Sequence, residues 1–198
     1  LSLHDALPIC SGKSTLMNIL GCLDVLTEGS YRLGGKDVEQ LSEVALARVR
    51  NQQIGFVFQQ FHLLPSLSAV RNVELPLVYG RVDKAQRRER AELALERVGL
   101  GDRLHNRPGE LSGGQQQRVA VARALAGDPT MILADEPTGN LDSVSTEEVL
   151  GLFDQLHEAG RTIVLITHEH DVARHARRMI TVRDGLIVSD AATEEVAA

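Results

Sequence analysis

The chain has 198 residues, of which 43% are hydrophobic, 24% charged and 3% aromatic, and its formal net charge is −6. This composition indicates one globular domain with an aliphatic core, and the acidic balance excludes the basic surface of a dedicated nucleic-acid-binding protein. Its two cysteines, Cys10 and Cys22, lack the spacing of a zinc site, and no apolar run is long enough to span a bilayer.

The predicted elements alternate between helices and strands through most of the chain. In the first half they are a helix over 13–22, two short strands in 30–38 joined at Gly34 and Gly35, a helix near 42–50, a strand at 54–58 and helices over 68–79 and 83–98. In the second half they are a helix over 113–126, strands at 130–135 and 161–167 separated by a helix over 145–159, a short helix over 169–177 and a terminal strand pair. Asp83 is predicted to cap the helix that follows it, and Pro76 to break the helix in which it lies.

This alternation predicts an α/β fold with a mostly parallel sheet flanked by helices, because continuous apolar strands need cover on both faces. The stretch from about 60 to 126 is almost wholly helical and lies between strand-rich ends. We therefore expect a single domain over 1–198 with a helical subdomain inserted at about 60–126.

The tetrapeptide of Gly12, Lys13, Ser14 and Thr15 precedes the first predicted helix. It has the pattern that ends a phosphate-binding loop, where helix N–H groups and a lysine meet phosphate and a hydroxyl meets Mg²⁺. Ordinary helix capping is the alternative for so short a motif.

Two adjacent carboxylates, Asp135 and Glu136, follow the four apolar residues of the strand at 130–135. The carboxyl edge of a parallel sheet is where ligands bind, so the aspartate could hold Mg²⁺ and the glutamate could activate water. An acidic turn before a helix is the simpler alternative, but the phosphate-loop pattern earlier in the chain favours the functional interpretation.

The segment LSGGQ at 111–115 opens the helix predicted over 113–126. Ser112 can cap that helix, whereas the paired glycines also allow the backbone to approach an anion closely. A second phosphate-contacting helix start suggests a composite site shared between two subunits.

Gln59 and His168 each follow a predicted strand, at 54–58 and 161–167. A lone polar residue at such a position is more often a solvated turn residue. A functional role is nevertheless favoured for both residues, because their strands should end at the same edge of the sheet as Asp135 and Glu136.

The stretches GKST, FVFQ, LSGGQ, ILADEPTGNLD and ITHE occur in this order. From Gly12 to the carboxyl terminus the chain thereby resembles the ATP-binding subunit of an ABC transporter, which has a P-loop NTPase core. The resemblance implies that ATP is bound by Gly12, Lys13, Ser14 and Thr15 of one copy and by Ser112, Gly113, Gly114, Gln115 and the interface residue Asp142 of a second. It implies that Mg²⁺ is held by Ser14, Gln59 and Asp135, and that Glu136, His168 and Gln59 serve catalysis, with Glu136 as the base.

Longer stretches, among them RPGELSGGQQQRVAVARAL, resemble the macrolide-exporter and lipoprotein-release branch of this family, of MacB and LolD type. That resemblance implies a head-to-tail dimer and a membrane-spanning permease subunit as partners, with no nucleic acid. The chain would then lie in the cytoplasm, peripheral on the inner face of the cell membrane. The cargo would be a lipoprotein, a peptide or a macrolide-like amphiphile.

The phosphate loop departs from the family pattern, because Leu7 and Cys10 stand where that pattern has glycine. A Cβ at these positions should strain the loop or crowd the phosphate, so we expect weak ATP binding. We expect residues 1–10 to be non-native or truncated, with the strand ahead of the loop largely missing. Two alternatives therefore remain, a truncated non-hydrolysing fragment and a non-transport ABC ATPase.

Overall fold

A six-stranded sheet lies at the centre of the structure, a computed structural model that describes residues 2–4 and 12–193. Its strands, in spatial order, are β4 (Ile54–Phe58), β5 (Met131–Asp135), β6 (Thr162–Thr167), β1 (Ser2–His4), β7 (Arg178–Arg183) and β8 (Leu186–Ala192). All neighbours pair in parallel except β8, which is antiparallel to β7 at one edge. Two short strands, β2 (Arg32–Leu33) and β3 (Lys36–Asp37), form a separate hairpin.

The helices connect these strands and match most of the predicted elements. They are α1 (Lys13–Leu20), α2 (Glu43–Gln53), α3 (Ala69–Tyr79), α4 (Lys84–Arg97), α5 (Gly113–Leu125), α6 (Ser143–Glu158) and α7 (His170–Ala173), with a 3₁₀ turn at Pro108–Glu110. Asp83 caps α4 by accepting a hydrogen bond from the Ala85 N–H, as predicted. The last helix is shorter than the predicted 169–177, since α7 is a single turn.

Hydrophobic cover on both faces of the sheet confirms the predicted parallel α/β architecture. Along β5, Ile132 and Ala134 join one cluster with α3 to α6, whereas Met131 and Leu133 join a second with α1 and α2. This alternation is the two-residue period of a strand. Each large aliphatic side chain buried here contributes about 1.5–3 kcal/mol relative to exposure.

The predicted break at Pro76 is wrong, because α3 continues through it to Tyr79. Val70, Val73 and Leu77 of this helix are buried in the core, and their packing holds the last turn in place. The Pro76 carbonyl accepts hydrogen bonds from the Gly80 N–H and the Asn51 side chain. Tertiary packing here outweighs the missing N–H of proline.

The strand ahead of the phosphate loop is predicted to be largely missing, and the strand in that position has only three residues. Its backbone pairs on both sides, with Ser2 opposite Leu165 of β6 and opposite Met179 of β7. Backbone groups at the facing edges of β6 and β7 need hydrogen-bond partners, and β1 pairs with three residues of each strand. Leu7 and Cys10, with their predicted effect on the loop, lie outside the described residues.

Between β4 and β5 the chain contains α3, α4, the 3₁₀ turn and α5, and no strand. Val73 of α3, Leu95 of α4 and Val121 of α5 share one cluster with Val57 of β4. The helical segment is therefore continuous with the cover of one sheet face, and its status as a distinct subdomain stays a prediction.

The contact between α5 and β4 is close enough to test. A Cβ at Gly55 of β4 would lie 2.8 Å from the Ala124 carbonyl oxygen of α5. We expect Gly55→Ala to lower the free energy of unfolding by roughly 1–3 kcal/mol, because the helix must move away. Denaturant titration measures this change.

Gly151 of α6 provides the matched control, because no atom lies within 4 Å of a Cβ placed there. Gly151→Ala should raise the free energy of unfolding by about 0.5–1 kcal/mol, since alanine favours a helix interior. Equal stability of the two variants would contradict the close contact.

Candidate active site

The carboxyl ends of three neighbouring strands carry the polar residues singled out in the sequence. Phe58 of β4 lies opposite Asp135 of β5, which lies opposite Ile166 of β6. Gln59 follows the first of these residues directly, and His168 follows β6. Parallel pairing thus brings Gln59, Asp135 and His168 to one edge of the sheet.

Glu136 is held firmly at this edge. Its N–H donates to the Ile166 carbonyl at 2.8 Å, and its φ of 46° turns the chain away from β5. Its Oε1 lies 2.7 Å from Nδ1 of His168, and its Oε2 accepts from the Thr167 hydroxyl at 3.4 Å. The Glu136 side chain is 19% exposed and that of His168 61%, so this carboxylate is sheltered but reachable.

The surroundings of Asp135 disfavour the ionised form of its carboxyl. Burial raises the pKa of its carboxyl, the neighbouring Glu136 charge raises it further, and the Lys13 ammonium opposes both effects. An ionised Asp135 is therefore only partly compensated by the protein, which suits a carboxylate that meets a cation.

The start of α1 lies near this aspartate, as the influence of Lys13 on its pKa shows. Gly12 precedes the helix with a φ of 86°, a conformation that glycine adopts without strain. Within the described residues, no side chain caps α1 and its first turn has no acidic residue. Ser14 and Thr15 are exposed there, and the helix N–H groups and positive dipole end suit an anion.

The LSGGQ segment forms a capping box at the start of α5. The Ser112 hydroxyl accepts from the Gln115 N–H, and the Gln115 side chain accepts from the Ser112 N–H. Gly113 is exposed, whereas a Cβ at Gly114 would lie 2.5 Å from the Ser145 hydroxyl of α6. Gln115 and Gly114 thus shape the helix start, and Ser112 and Gly113 face solvent.

Asp142 caps α6 with both carboxylate oxygens. One oxygen accepts from the Ser145 N–H at 2.9 Å and the other from the Ser145 hydroxyl at 3.0 Å. These hydrogen bonds, the backbone one first, lower the pKa of the Asp142 carboxyl. Asp142 is therefore ionised at the start of a helix, where the dipole favours negative charge.

Gln59 contacts the loop that joins β5 to α6, residues 136–142. Its side-chain nitrogen lies 2.6 Å from the point that a Cβ at Gly139 would occupy, and its carbonyl accepts from the Asn140 side chain at 3.0 Å. The strand-end glutamine and the loop carrying Glu136 are thereby in direct contact.

Two residues of α5 that the sequence patterns did not indicate contact the loops at this edge of the sheet. One contacts the loop 136–142, and the other contacts the segment after Gln59. Gln117 is fully buried, and its side-chain nitrogen donates to the Pro137 carbonyl at 2.6 Å. Arg123 donates to the carbonyls of Phe61 and His62, whose φ angles of 51° and 49° are unusual for non-glycine residues. The available signal was that Gln117 lies at helical spacing from the apolar Val121 and Ala124.

A glycine-led helix start beside a lysine, facing two adjacent carboxylates at the edge of a parallel sheet, defines a P-loop nucleotide hydrolase. The profile of the ABC transporter family matches residues 10–139. The chain belongs to this family and is an ATP-binding, ATP-hydrolysing domain.

Several proteins of similar sequence are named as ATP-binding proteins of transporters. The Bacillus subtilis ABC transporter ATP-binding protein YvrO is 57% identical over 92% of this chain and 80% of its own length. The macrolide export ATP-binding/permease protein MacB of Hyphomonas neptunium is 54% identical over 95% of this chain, which spans only 29% of that protein. These relatives confirm the predicted branch.

Among solved structures, the dimeric ATP-binding cassette MJ0796 bound to ADP and Pi superposes with a TM-score of 0.85 at 44% identity, covering 97% of this chain and 84% of its own. The predicted fold class is thereby confirmed. Across residues 2–4 and 12–193, no helix has the length and apolar character that a membrane span requires.

We expect Asp135→Asn to raise the free energy of unfolding at pH 7, because it removes a charge that burial and Glu136 disfavour. The folded-state pKa lies above the ordinary value of 3.8, so the folded state binds the proton more tightly than the unfolded state. The free energy of unfolding of the wild type should therefore fall as the pH rises from 3.8 through the folded-state pKa. Below pH 3.8 both proteins are uncharged at this position, so the gain in stability of the variant should vanish.

Denaturant midpoints of both proteins across pH measure this difference. Asp171→Asn is the control, because that side chain is 94% exposed and should show no such pH-dependent gain. A wild-type chain more stable than Asp135→Asn at pH 7 would contradict the assignment.

Proposed function

We propose that the chain hydrolyses Mg²⁺-bound ATP in a head-to-tail homodimer and so drives export or release of an amphiphile through a membrane-spanning permease. The observation that carries the proposal is the Glu136–His168 pair, 2.7 Å apart at the carboxyl edge of the sheet beside Asp135. The amphiphile is a lipoprotein, a peptide or a macrolide-like molecule.

Glu136 is the general base of the proposed reaction. Its partners leave the carboxylate sheltered and fixed, with His168 at one oxygen and Thr167 at the other. A carboxylate held in this way can accept the proton of an attacking water without first reorganising. His168, more exposed than Glu136, orients the base and faces the space in front of the sheet edge.

The residues around α1 fit ATP and Mg²⁺. The uncapped helix start offers N–H groups to phosphate, and Lys13 supplies positive charge next to Asp135. The side chains of Asp135, Ser14 and Gln59 offer oxygen ligands of the kind that Mg²⁺ prefers. The raised pKa of Asp135 indicates that a further cation nearby would stabilise its ionised form. Bound Mg²⁺ would neutralise charge that develops on the phosphate oxygens.

The homodimer completes this site. Ser112 and Gly113 are exposed at the start of α5, which leaves them accessible to ATP held by a second copy. MJ0796 is dimeric in the structure that this chain resembles, which supports the same assembly here. We assign Gln115 a supporting role, because its side chain holds Ser112 through the capping box.

The permease and the cargo follow from the relatives. MacB is named as a macrolide export ATP-binding/permease protein, and the matched region is 29% of its length. A permease partner would place this chain at the inner face of the cell membrane, peripheral to it. The family relationship supports transport over the non-transport alternative.

Nucleotide binding tests the effect of the altered phosphate loop. Leu7→Gly combined with Cys10→Gly should tighten Mg·ATP binding at least tenfold, because glycine permits close backbone approach to phosphate. Fluorescence titration of both proteins measures the two dissociation constants. Micromolar affinity of the unaltered chain would contradict the expected weakness.

Turnover at millimolar Mg·ATP tests the catalytic assignment. Glu136→Gln should lower kcat by about 10²–10⁴-fold, the usual contribution of a general base. Glu158→Gln makes the same charge change at the exposed end of α6 and should leave kcat unaltered.

The kcat values of Glu136→Gln and Glu158→Gln are measured both in the unaltered chain and in the chain that carries Leu7→Gly and Cys10→Gly. Activity only in that background would favour the non-hydrolysing alternative for the unaltered chain. Absence of activity in both would refute the proposed function.

A further inference from the structure

We propose that Gln117 is a positioning residue for Glu136, acting through the Pro137 carbonyl. The proposal rests on the proposed ATPase function and adds a residue of α5 to the machinery that holds the base. It concerns the chain's own geometry and requires no further ligand.

The contact itself is short and shielded from water. Gln117 is fully buried, and its side-chain nitrogen donates to the carbonyl of Pro137 at 2.6 Å. Pro137 follows Glu136 directly, so this bond fixes the peptide unit next to the base. A hydrogen bond in such an environment is stronger than the same bond in water.

Glu136 needs such support because of its backbone conformation. A φ of 46° is unfavourable for a residue with a Cβ, and it persists only where the surroundings determine it. On one side the Glu136 N–H is bonded to Ile166 of β6. On the other side Gln117 holds Pro137, so the base is fixed between β6 and α5.

Gln117 makes its bond to Pro137 although its own side-chain oxygen stays unpaired within residues 2–4 and 12–193. Its side-chain oxygen is buried without a hydrogen-bond partner among the described residues, and so is the hydroxyl of Thr138 in the same loop. Unsatisfied buried polar atoms are rare because they destabilise the fold. A methionine would fill a similar volume and remove the unpaired oxygen, but it would leave the buried Pro137 carbonyl without this donor, so the glutamine is explained by its bond to Pro137.

The position of Gln117 also connects the base to the start of α5. Ser112 caps the helix, and Gln117 lies between one and two turns farther along the same helix. In the proposed dimer Ser112 meets ATP held by the second copy. A displacement of α5 at that contact would therefore be transmitted to the Pro137 carbonyl and to the base of its own subunit.

Gln117→Met tests the proposal, because it keeps the volume and removes the donor. We expect kcat for ATP to fall at least tenfold while KM stays within about threefold, since a misplaced base slows chemistry without altering the phosphate contacts. Asn51→Leu is the matched control. That amide also donates to a proline carbonyl, Pro76 of α3 at 2.8 Å, but outside the proposed site, and the variant should leave kcat within twofold.

A double variant separates positioning from general damage. In the Glu136→Gln background, Gln117→Met should cause no further loss of turnover, because the group that it positions is already gone. ATP-dependent dimerisation of the double variant should match that of Glu136→Gln alone. Gln117→Leu, which also removes the donor, is the second variant should Gln117→Met fold poorly, and the same results are expected.

The outcomes distinguish this inference from the function on which it rests. Wild-type kcat in Gln117→Met, or a further fall in the double variant, would overturn the role of Gln117 while Glu136→Gln still abolished turnover. Unchanged turnover in Glu136→Gln would instead refute the proposed function, and the positioning role with it.

Discussion

The packing of α5 against its neighbours is the constraint on which the arrangement of the site depends. Gly55 of β4 and Gly114 of α5 allow contacts that a Cβ would prevent, with Ala124 and with Ser145 of α6. This helix also reaches two loops through polar side chains, Gln117 to the loop carrying Glu136 and Arg123 to the loop after Gln59. Because one rigid helix contacts both loops, their relative position is set by core packing rather than by the loops themselves.

Electrostatics at the carboxyl edge of the sheet then determine what this rigid frame can do. Asp135 and Glu136 are adjacent and partly buried, an arrangement that is unfavourable without positive partners. Lys13 supplies a positive charge for Asp135, and His168 supplies a hydrogen-bond partner for Glu136. The two carboxylates therefore differ in their surroundings although they are neighbours in sequence, since Asp135 lies under the influence of a cation and Glu136 is fixed by hydrogen bonds.

Most of the fold could be predicted from the sequence because its strands and helices have strong periodicity. The strand at 54–58 matches β4 to the residue, and the Asp83 cap was predicted from local chemistry alone. Two features that local patterns did not reveal, the continuation of α3 through Pro76 and the pairing of the short strand Ser2–His4, both depend on partners distant in sequence. Packing and pairing of this kind leave little trace in a local pattern.

The site shows the same division between local pattern and long-range contact. Glu136, His168 and Asp135 follow apolar strands, so their common edge could be predicted, whereas the left-handed conformation of Glu136 and its bond to β6 could not. The side chains of Gln115 and Asp142 cap α5 and α6, and their predicted contacts to nucleotide or to a second copy stay predictions. Capping orients the first turns of both helices, and Ser112 gains its exposed position from the bond that Gln115 makes to its N–H. Residues of one motif can therefore divide their tasks, since Gln115 shapes the helix start and leaves Ser112 exposed there.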